Sequence, residues 1–271
     1  MKQLTINNLI SGGLITNYYC TSQCRHCLYG CSPSWPKDYI SSEQARDNIH
    51  SIRKLGCLSV HIGGGEPFLK PDKLLEVLEV ADKESMGIDY IETNSSWYQD
   101  EKQAGEILQE VKKRKVDTLL LSISPFHTEK IPFAKVRNLI EVCNNIGIQV
   151  FPWVQSFIGD ISQLDEDKTH TLEEYIDKFG NDYLRNIPSR YWIHLGGRAV
   201  NTFKEVFPLS SLDHILENSS SCSELTDTSH FHTDLYGFYI PGLCSGLAIK
   251  NKDLGIPLNP DEYPLITLLY N

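Results

Sequence analysis

A chain of 271 residues with 41% hydrophobic content can bury one sizeable core, as a single α/β domain or one domain with a small addition. Its net charge of −10 argues against broad binding to a phosphate backbone, which wants a basic surface, so a nucleic-acid partner is not favoured. No apolar run approaches the ~18 residues of a membrane span, and the opening Met-Lys-Gln-Leu-Thr-Ile-Asn-Asn-Leu-Ile lacks the apolar core of a signal peptide. A cytoplasmic protein with no membrane partner is expected.

Short apolar segments at 13–19, 59–63, 88–93, 117–124, 149–154 and 191–195 read as strands. Between them, amphipathic periodicity predicts helices over 42–55, 71–85, 102–113, 133–146 and 171–183. Ser41 and Ser42 with Glu43 and Gln44 offer a helix N-cap, and Gly147 offers a C-cap. Lys112, Lys113, Arg114 and Lys115 close a helix, where cations complement the dipole. Strand–helix alternation implies a parallel sheet with right-handed crossovers. The expectation is an α/β fold, a partial (β/α)6 TIM-like barrel over 1–210. A small C-terminal β-hairpin appendage over 211–271 would turn at Tyr236-Gly237 and Pro241-Gly242 within 229–250. Residues 263–270 read as a docked last strand.

Eight cysteines stand at 20, 24, 27, 31, 57, 143, 222 and 244. Four fall within twelve residues in a chain without a signal sequence, which favours metal binding in a reducing compartment over disulfides. Cys20-Thr-Ser-Gln-Cys24-Arg-His-Cys27 can wrap one loop around a cubane iron–sulfur cluster and leave one iron without a protein ligand. Residues 59–67, Ser-Val-His-Ile-Gly-Gly-Gly-Glu-Pro, come next as a strand with a glycine-rich exit. In a parallel barrel the working face lies at the carboxyl ends of the strands. The cysteine loop, Gly64-Gly65-Glu66-Pro67, Thr93-Asn94 and Ser122 with Ser124 all fall at such ends.

With Cys20, Cys24 and Cys27 followed by Gly64-Gly65-Glu66-Pro67, the chain resembles the radical SAM superfamily, His26 standing where that family usually carries an aromatic residue. The resemblance implies a [4Fe–4S] cluster on Cys20, Cys24 and Cys27. S-adenosylmethionine would chelate the open iron, and a 5′-deoxyadenosyl radical would abstract a hydrogen atom from a small-molecule or peptide substrate. It also implies a reductant such as flavodoxin or ferredoxin. Gly64, Gly65, Glu66, Thr93, Asn94, Ser122, Ser124 and Gln155 are the implied cofactor contacts, with Ser95 replacing the family's glycine after Asn94.

Candidate catalytic residues are His127, beside Glu129, and the thiols Cys222 and Cys244, which bracket His230, His232 and Asp234. Arg198, next to Gly196-Gly197 and near His194, suits either a substrate carboxylate or phosphate or a surface acid. The competing reading is an iron–sulfur or zinc protein without radical catalysis. Cys20, Cys24, Cys27 and Cys31 could close a zinc site, but that leaves the glycine motif unexplained. Two thiols in the appendage fall short of a second cubane, so one cluster per chain is expected.

Overall fold

The computed structural model describes residues 2–271 except Trp153, Tyr191, Trp192 and Ser245. In chain order its elements are β1 (Gly12–Ile15), α1 (Ser42–Lys54), β2 (Ser59–Gly63), α2 (Pro71–Lys83), β3 (Gly87–Thr93), α3 (Glu101–Lys113), β4 (Thr118–Leu121), α4 (Pro125–Thr128), α5 (Phe133–Ile146) and β5 (Gln149–Pro152). Then come α6 (Ile158–Ile161), α7 (Leu172–Phe179), α8 (Tyr183–Arg190), α9 (Arg198–Phe203), α10 (Leu212–Glu217), β6 (Phe231–Asp234), β7 (Phe238–Ile240), β8 (Ile249–Lys250) and α11 (Pro264–Tyr270).

One sheet runs β5-β4-β3-β2-β1-β6-β7-β8. Every pair from β5 to β6 is parallel, and β6–β7 and β7–β8 are antiparallel. This is the α/β architecture of an open, partial TIM-like barrel. Local sequence sets the helices as expected. Ser41 and Gln44 form a capping box on α1, and Gly147 ends α5 in the left-handed conformation at φ 70°. In the basic cluster at the end of α3, Lys113, Arg114 and Lys115 pair with Glu110, Glu79 and Asp82, and Lys112 donates to the carbonyls of Ile146 and Gly147. The apolar faces of α1, α2, α3 and α5 bury Ile49, Leu78, Leu108 and Leu139 against Val60, Ile62, Ile91 and Leu119 of the strands.

Several expectations are corrected. Of the strand expected at 191–195, Tyr191 and Trp192 lie outside the described residues, while Ile193, His194 and Leu195 are not in a strand. Just beyond them the chain docks on the cysteine loop, where the N–H of Arg198 donates to the Cys27 carbonyl at 3.1 Å. The outer neighbour of β1 is β6, paired Gly12↔Phe231 through Ile15↔Asp234. The C-terminal hairpin is therefore hydrogen-bonded into the main sheet, with Gly237 at φ 81° in its turn. Residues 264–270 form a helix and not a strand, because Pro264 starts it with its φ preset and its missing N–H harmless. Finally, the helix expected over 171–183 is interrupted at Gly180, φ 100°. Among the described residues no helix is long and apolar enough to cross a membrane.

Candidate active site

β1 and β2 end side by side, and the loops that leave them are tied together. Thr16 donates its N–H to the Gly63 carbonyl at 3.0 Å, and Gly65 donates to the Asn17 carbonyl at 2.7 Å. The Asn17 amide bridges the two loops, donating to the carbonyls of Tyr19 at 3.0 Å and Glu66 at 3.2 Å. Here the glycines have a definite task. Gly64 sits at φ 147°, and a Cβ there would come within 2.6 Å of the Asn17 carbonyl oxygen. A Cβ on Gly65 would run into the Tyr19 carbonyl. The glycine turn is thus packed backbone to backbone against the start of the cysteine loop.

That loop folds on itself, with Cys27 N–H donating to Cys24 carbonyl at 3.2 Å and Cys20 N–H to Ser32 carbonyl at 3.2 Å. Cys20, Cys24, Cys27 and Cys31 are free thiols lining one cavity of about 390 Å³, within the range of roughly 300–1,000 Å³ usual for small-molecule sites. Ser22 N–H and the Asn94 amide each donate to Cys20 Sγ at 3.3 Å. Burial pushes the Cys20 thiol up to about 12 and raises that of Cys24 as well. Cys31 donates to Cys27 and draws it down.

Arg198 braces the loop and also lines the cavity. Its Nε donates to the Cys24 carbonyl at 2.8 Å and its Nη2 to the Cys31 carbonyl at 2.7 Å. The guanidinium fork matches two loop carbonyls. Thr202, one turn later on α9, donates to the Arg25 carbonyl at 2.7 Å.

Gly64, Gly65, Thr93, Asn94 and Ser122 reach the same cavity. Glu66 is fully buried and turned away from it. Its carboxylate accepts from Phe68 N–H at 3.1 Å, Asn94 N–H at 2.7 Å and the Thr93 hydroxyl at 3.0 and 3.1 Å. Burial raises this carboxyl to about 7, against the pull of those donors. Ser124 lies past the end of β4 and bonds His127 Nδ1 at 2.7 Å while capping α4. His127 does line the cavity, and burial lowers it to about 4, so its imidazole is neutral near pH 7. Gln155 is exposed in a 3-10 turn, away from the site. Cys222 and Cys244 are half-buried and in hydrogen-bond contact with each other, while Leu243 reaches the cavity wall.

The far wall carries Tyr29, Tyr90, Glu92, His230 and His232. Sequence reasoning placed His230 and His232 only between two thiols and missed the others, together with Arg198 as a brace. The signals were there: a histidine inside apolar β2, a His-Phe-His step, and Gly12-Gly13 where a strand needs no glycine.

The family model of the radical SAM superfamily matches residues 14–175, more than half of the chain. Mycofactocin maturase MftC of Mycobacterium tuberculosis H37Rv is 32% identical over 73 residues, 27% of this chain and 18% of that protein. The homologue from Mycobacterium ulcerans Agy99 gives 32% over 73 residues, 27% of this chain and 19% of that protein. The matched segment thus spans less than a fifth of these curated relatives. Among solved structures, a histidine-tagged anSMEcpe with bound AdoMet superimposes with a TM-score of 0.55 at 14% identity, covering 97% of this chain and 81% of that one. Native anSMEcpe with bound AdoMet and Cp18Cys peptide gives 0.51 at 14% identity, covering 97% and 84%. At this identity the likeness is one of fold. With cysteine loop and glycine turn clasped at the carboxyl end of a parallel sheet, and a family match running from β1 to α7, the chain belongs to the radical SAM superfamily.

Proposed function

We propose that this chain is a radical S-adenosylmethionine enzyme that abstracts hydrogen from a peptide substrate. Membership of the superfamily brings a [4Fe–4S] cluster and S-adenosylmethionine as cofactors. The residues fit such a group. Three thiols from one loop face a common cavity, and N–H donors already point at the sulfur of Cys20, as they do around cluster thiolates. Cys20, Cys24 and Cys27 would hold the cluster, leaving Cys31 as a donor to Cys27. Gly64, Gly65, Thr93, Asn94 and Ser122 would contact the S-adenosylmethionine. Bound there, these cofactors supply a 5′-deoxyadenosyl radical upon one-electron reduction, the electron coming from flavodoxin or ferredoxin.

The chain's own part is to position and shield. Glu66 fixes Thr93 and Asn94, and Arg198 fixes the cysteine loop. Neutral His127, oriented by Ser124, would stand in the cavity wall beside a bound substrate. Apolar walls from Leu28, Leu120, Ile193 and Leu243 exclude water from the reacting carbon.

The observation that carries the reading is the convergence of Cys20, Cys24, Cys27, Gly64, Gly65 and Asn94 on one cavity. The peptide class is supported by the maturase relatives and by the peptide-bound structure of similar fold. The acidic charge and reduced thiols support a cytoplasmic setting without nucleic acid. Anaerobic reconstitution tests it. About four irons per chain and 5′-deoxyadenosine on reduction with S-adenosylmethionine are expected, with more product when the peptide fraction of a cell extract is added than with its small-molecule fraction. A cluster without 5′-deoxyadenosine would mark a binding protein instead.

A further inference from the structure

β1 lies between β2 and β6, and its Gly13 is paired with His61 on one side and His232 on the other. Strands two apart in a sheet are separated by about 9.6 Å. The Nε2 atoms of His61 and His232 are nevertheless 3.1 Å apart. The two rings lean together over Gly13, where a Cβ would collide with both imidazoles. His230, the residue just before β6, lies on the same side as His232. Its ring lies 5.0 Å from that of His232 and 5.6 Å from that of His61.

One ring nitrogen from each of the three lies within 4.8 Å of the other two. Three imidazoles thus converge in a largely buried place, with the Nε2 atoms of His61 and His232 already sharing a proton, a position that a metal ion can take over. The outward edges are already anchored. His232 Nδ1 is 2.7 Å from the Tyr29 hydroxyl, and the ring of His61 is hydrogen-bonded to the Gly12 backbone. Such outer partners are what orient metal-binding histidines. Glu92 Oε1 stands 3.8 Å from His61 Nε2, and His61 is stacked on Tyr90 at 4.9 Å.

We propose that His61, His230 and His232 bind one divalent transition-metal ion, with zinc the fitting one, and that its remaining position opens into the cavity. Imidazole is a ligand of zinc, and bonds of about 2.0–2.1 Å in a tetrahedron set nitrogens about 3.4 Å apart, close to the His61–His232 spacing. Three protein ligands leave a fourth place for water or for an oxygen donor of the substrate. That place faces the cavity because His230, His232 and Glu92 line it together with Cys20, Cys24 and Cys27. The site goes beyond the radical SAM reading and does not rest on it.

The test is metal analysis of the reconstituted full chain after incubation with zinc and desalting, together with X-ray absorption at the zinc edge. One zinc per chain beyond the iron is expected, with imidazole scattering and no sulfur shell near about 2.3 Å. His61→Gln and His232→Gln should each lose at least nine-tenths of the zinc while keeping wild-type iron, and His50→Gln, at an exposed histidine paired with Glu84, should keep both. Should the buried variants also lose iron, His230→Gln, at a half-buried position, carries the test and should lose the zinc. Wild-type protein without zinc, zinc held on sulfur, or zinc retained in the histidine variants would overturn the proposal. Iron content in the same samples reports on the cluster separately.

Discussion

The carboxylate of Glu66 accepts the backbone N–H of Asn94 at 2.7 Å. One side chain from the glycine turn thereby sets the path of the chain leaving β3, and with it the Asn94 amide that reaches Cys20. Glu66→Gln should break this. Both oxygens face N–H donors, so a carboxamide must point its NH₂ at either Phe68 or Asn94. A buried donor left unpaired costs about 1–3 kcal/mol. We expect a melting temperature lower by several degrees and weaker binding of S-adenosylmethionine in calorimetry. An unchanged melting point would remove Glu66 as a brace.

The same carboxyl gives a pH dependence. Its folded value, about 7, exceeds its ordinary 4.5 because of burial. Folding therefore takes up a proton between those values. The contribution is full below about 4.5 and is lost as pH rises through about 7. The stability advantage of wild type over Glu66→Gln should shrink across that window and level off above about pH 8. Chemical denaturation at a series of pH values measures it, and a difference that grows with pH would contradict the assignment.

Gly65→Ala should lose iron and not only S-adenosylmethionine. The added Cβ meets the Tyr19 carbonyl, backbone that cannot step aside without moving the cysteine loop. A clash of this kind costs ~3 kcal/mol or more. Gly159→Ala, with nothing within 4 Å of its Cβ, is the control and should load fully. If Gly65→Ala keeps its iron and loses only affinity for S-adenosylmethionine, the glycine serves the ligand and not the loop.

Arg198→Lys should loosen the cluster loop. Lysine cannot span both the Cys24 and Cys31 carbonyls as the guanidinium does. A cost of about 2 kcal/mol is expected, together with faster loss of iron to a chelator. Arg137→Lys, in an exposed pair with Glu166, should change stability by less than about 1 kcal/mol. Equal chelation rates for wild type and Arg198→Lys would refute the brace.

Alanine at Cys20, Cys24 or Cys27 should each abolish cluster incorporation, whereas Cys57→Ala should not. The Cys57 thiol is buried and spends its proton on the Ser59 carbonyl at 3.1 Å, in the core below the sheet edge. A count near four irons per chain should survive the Cys222→Ala, Cys244→Ala double change. A fall from about eight irons to four in that variant would reveal a second cluster.

What could be read from the sequence was what depends on neighbours in the chain. The cysteine spacing, the glycine turn, the caps at Ser41 and Gly147 and the order of strands and helices up to β5 are of this kind. The run at 191–195 looks as apolar as a strand, but Ile193, His194 and Leu195 lead into Gly197 and Arg198, which dock under Cys27, more than 150 residues away. Residues 264–270 are too short for periodicity to separate strand from helix, and Pro264 was the deciding cue. Ser122 and Ser124 both fall at the end of a strand if it runs through 124. β4 ends at Leu121, so Ser122 enters the cavity and Ser124 becomes a cap. The histidine wall needed the register of β1 between β2 and β6, which no local pattern contains.

The bond from Arg198 to the Cys24 carbonyl joins residues 174 positions apart, and β6 closes onto β1 later still. During synthesis the thiols therefore emerge long before the groups that shape their loop. Non-local closure of this sort is slow to form, and a nascent Cys20–Cys31 segment is a flexible tetrathiol open to any soft metal in its surroundings. The final shape of the loop therefore waits on the C-terminal part of the chain, and until Arg198 is in place the Cys24 and Cys31 carbonyls lack the fork that holds them in register.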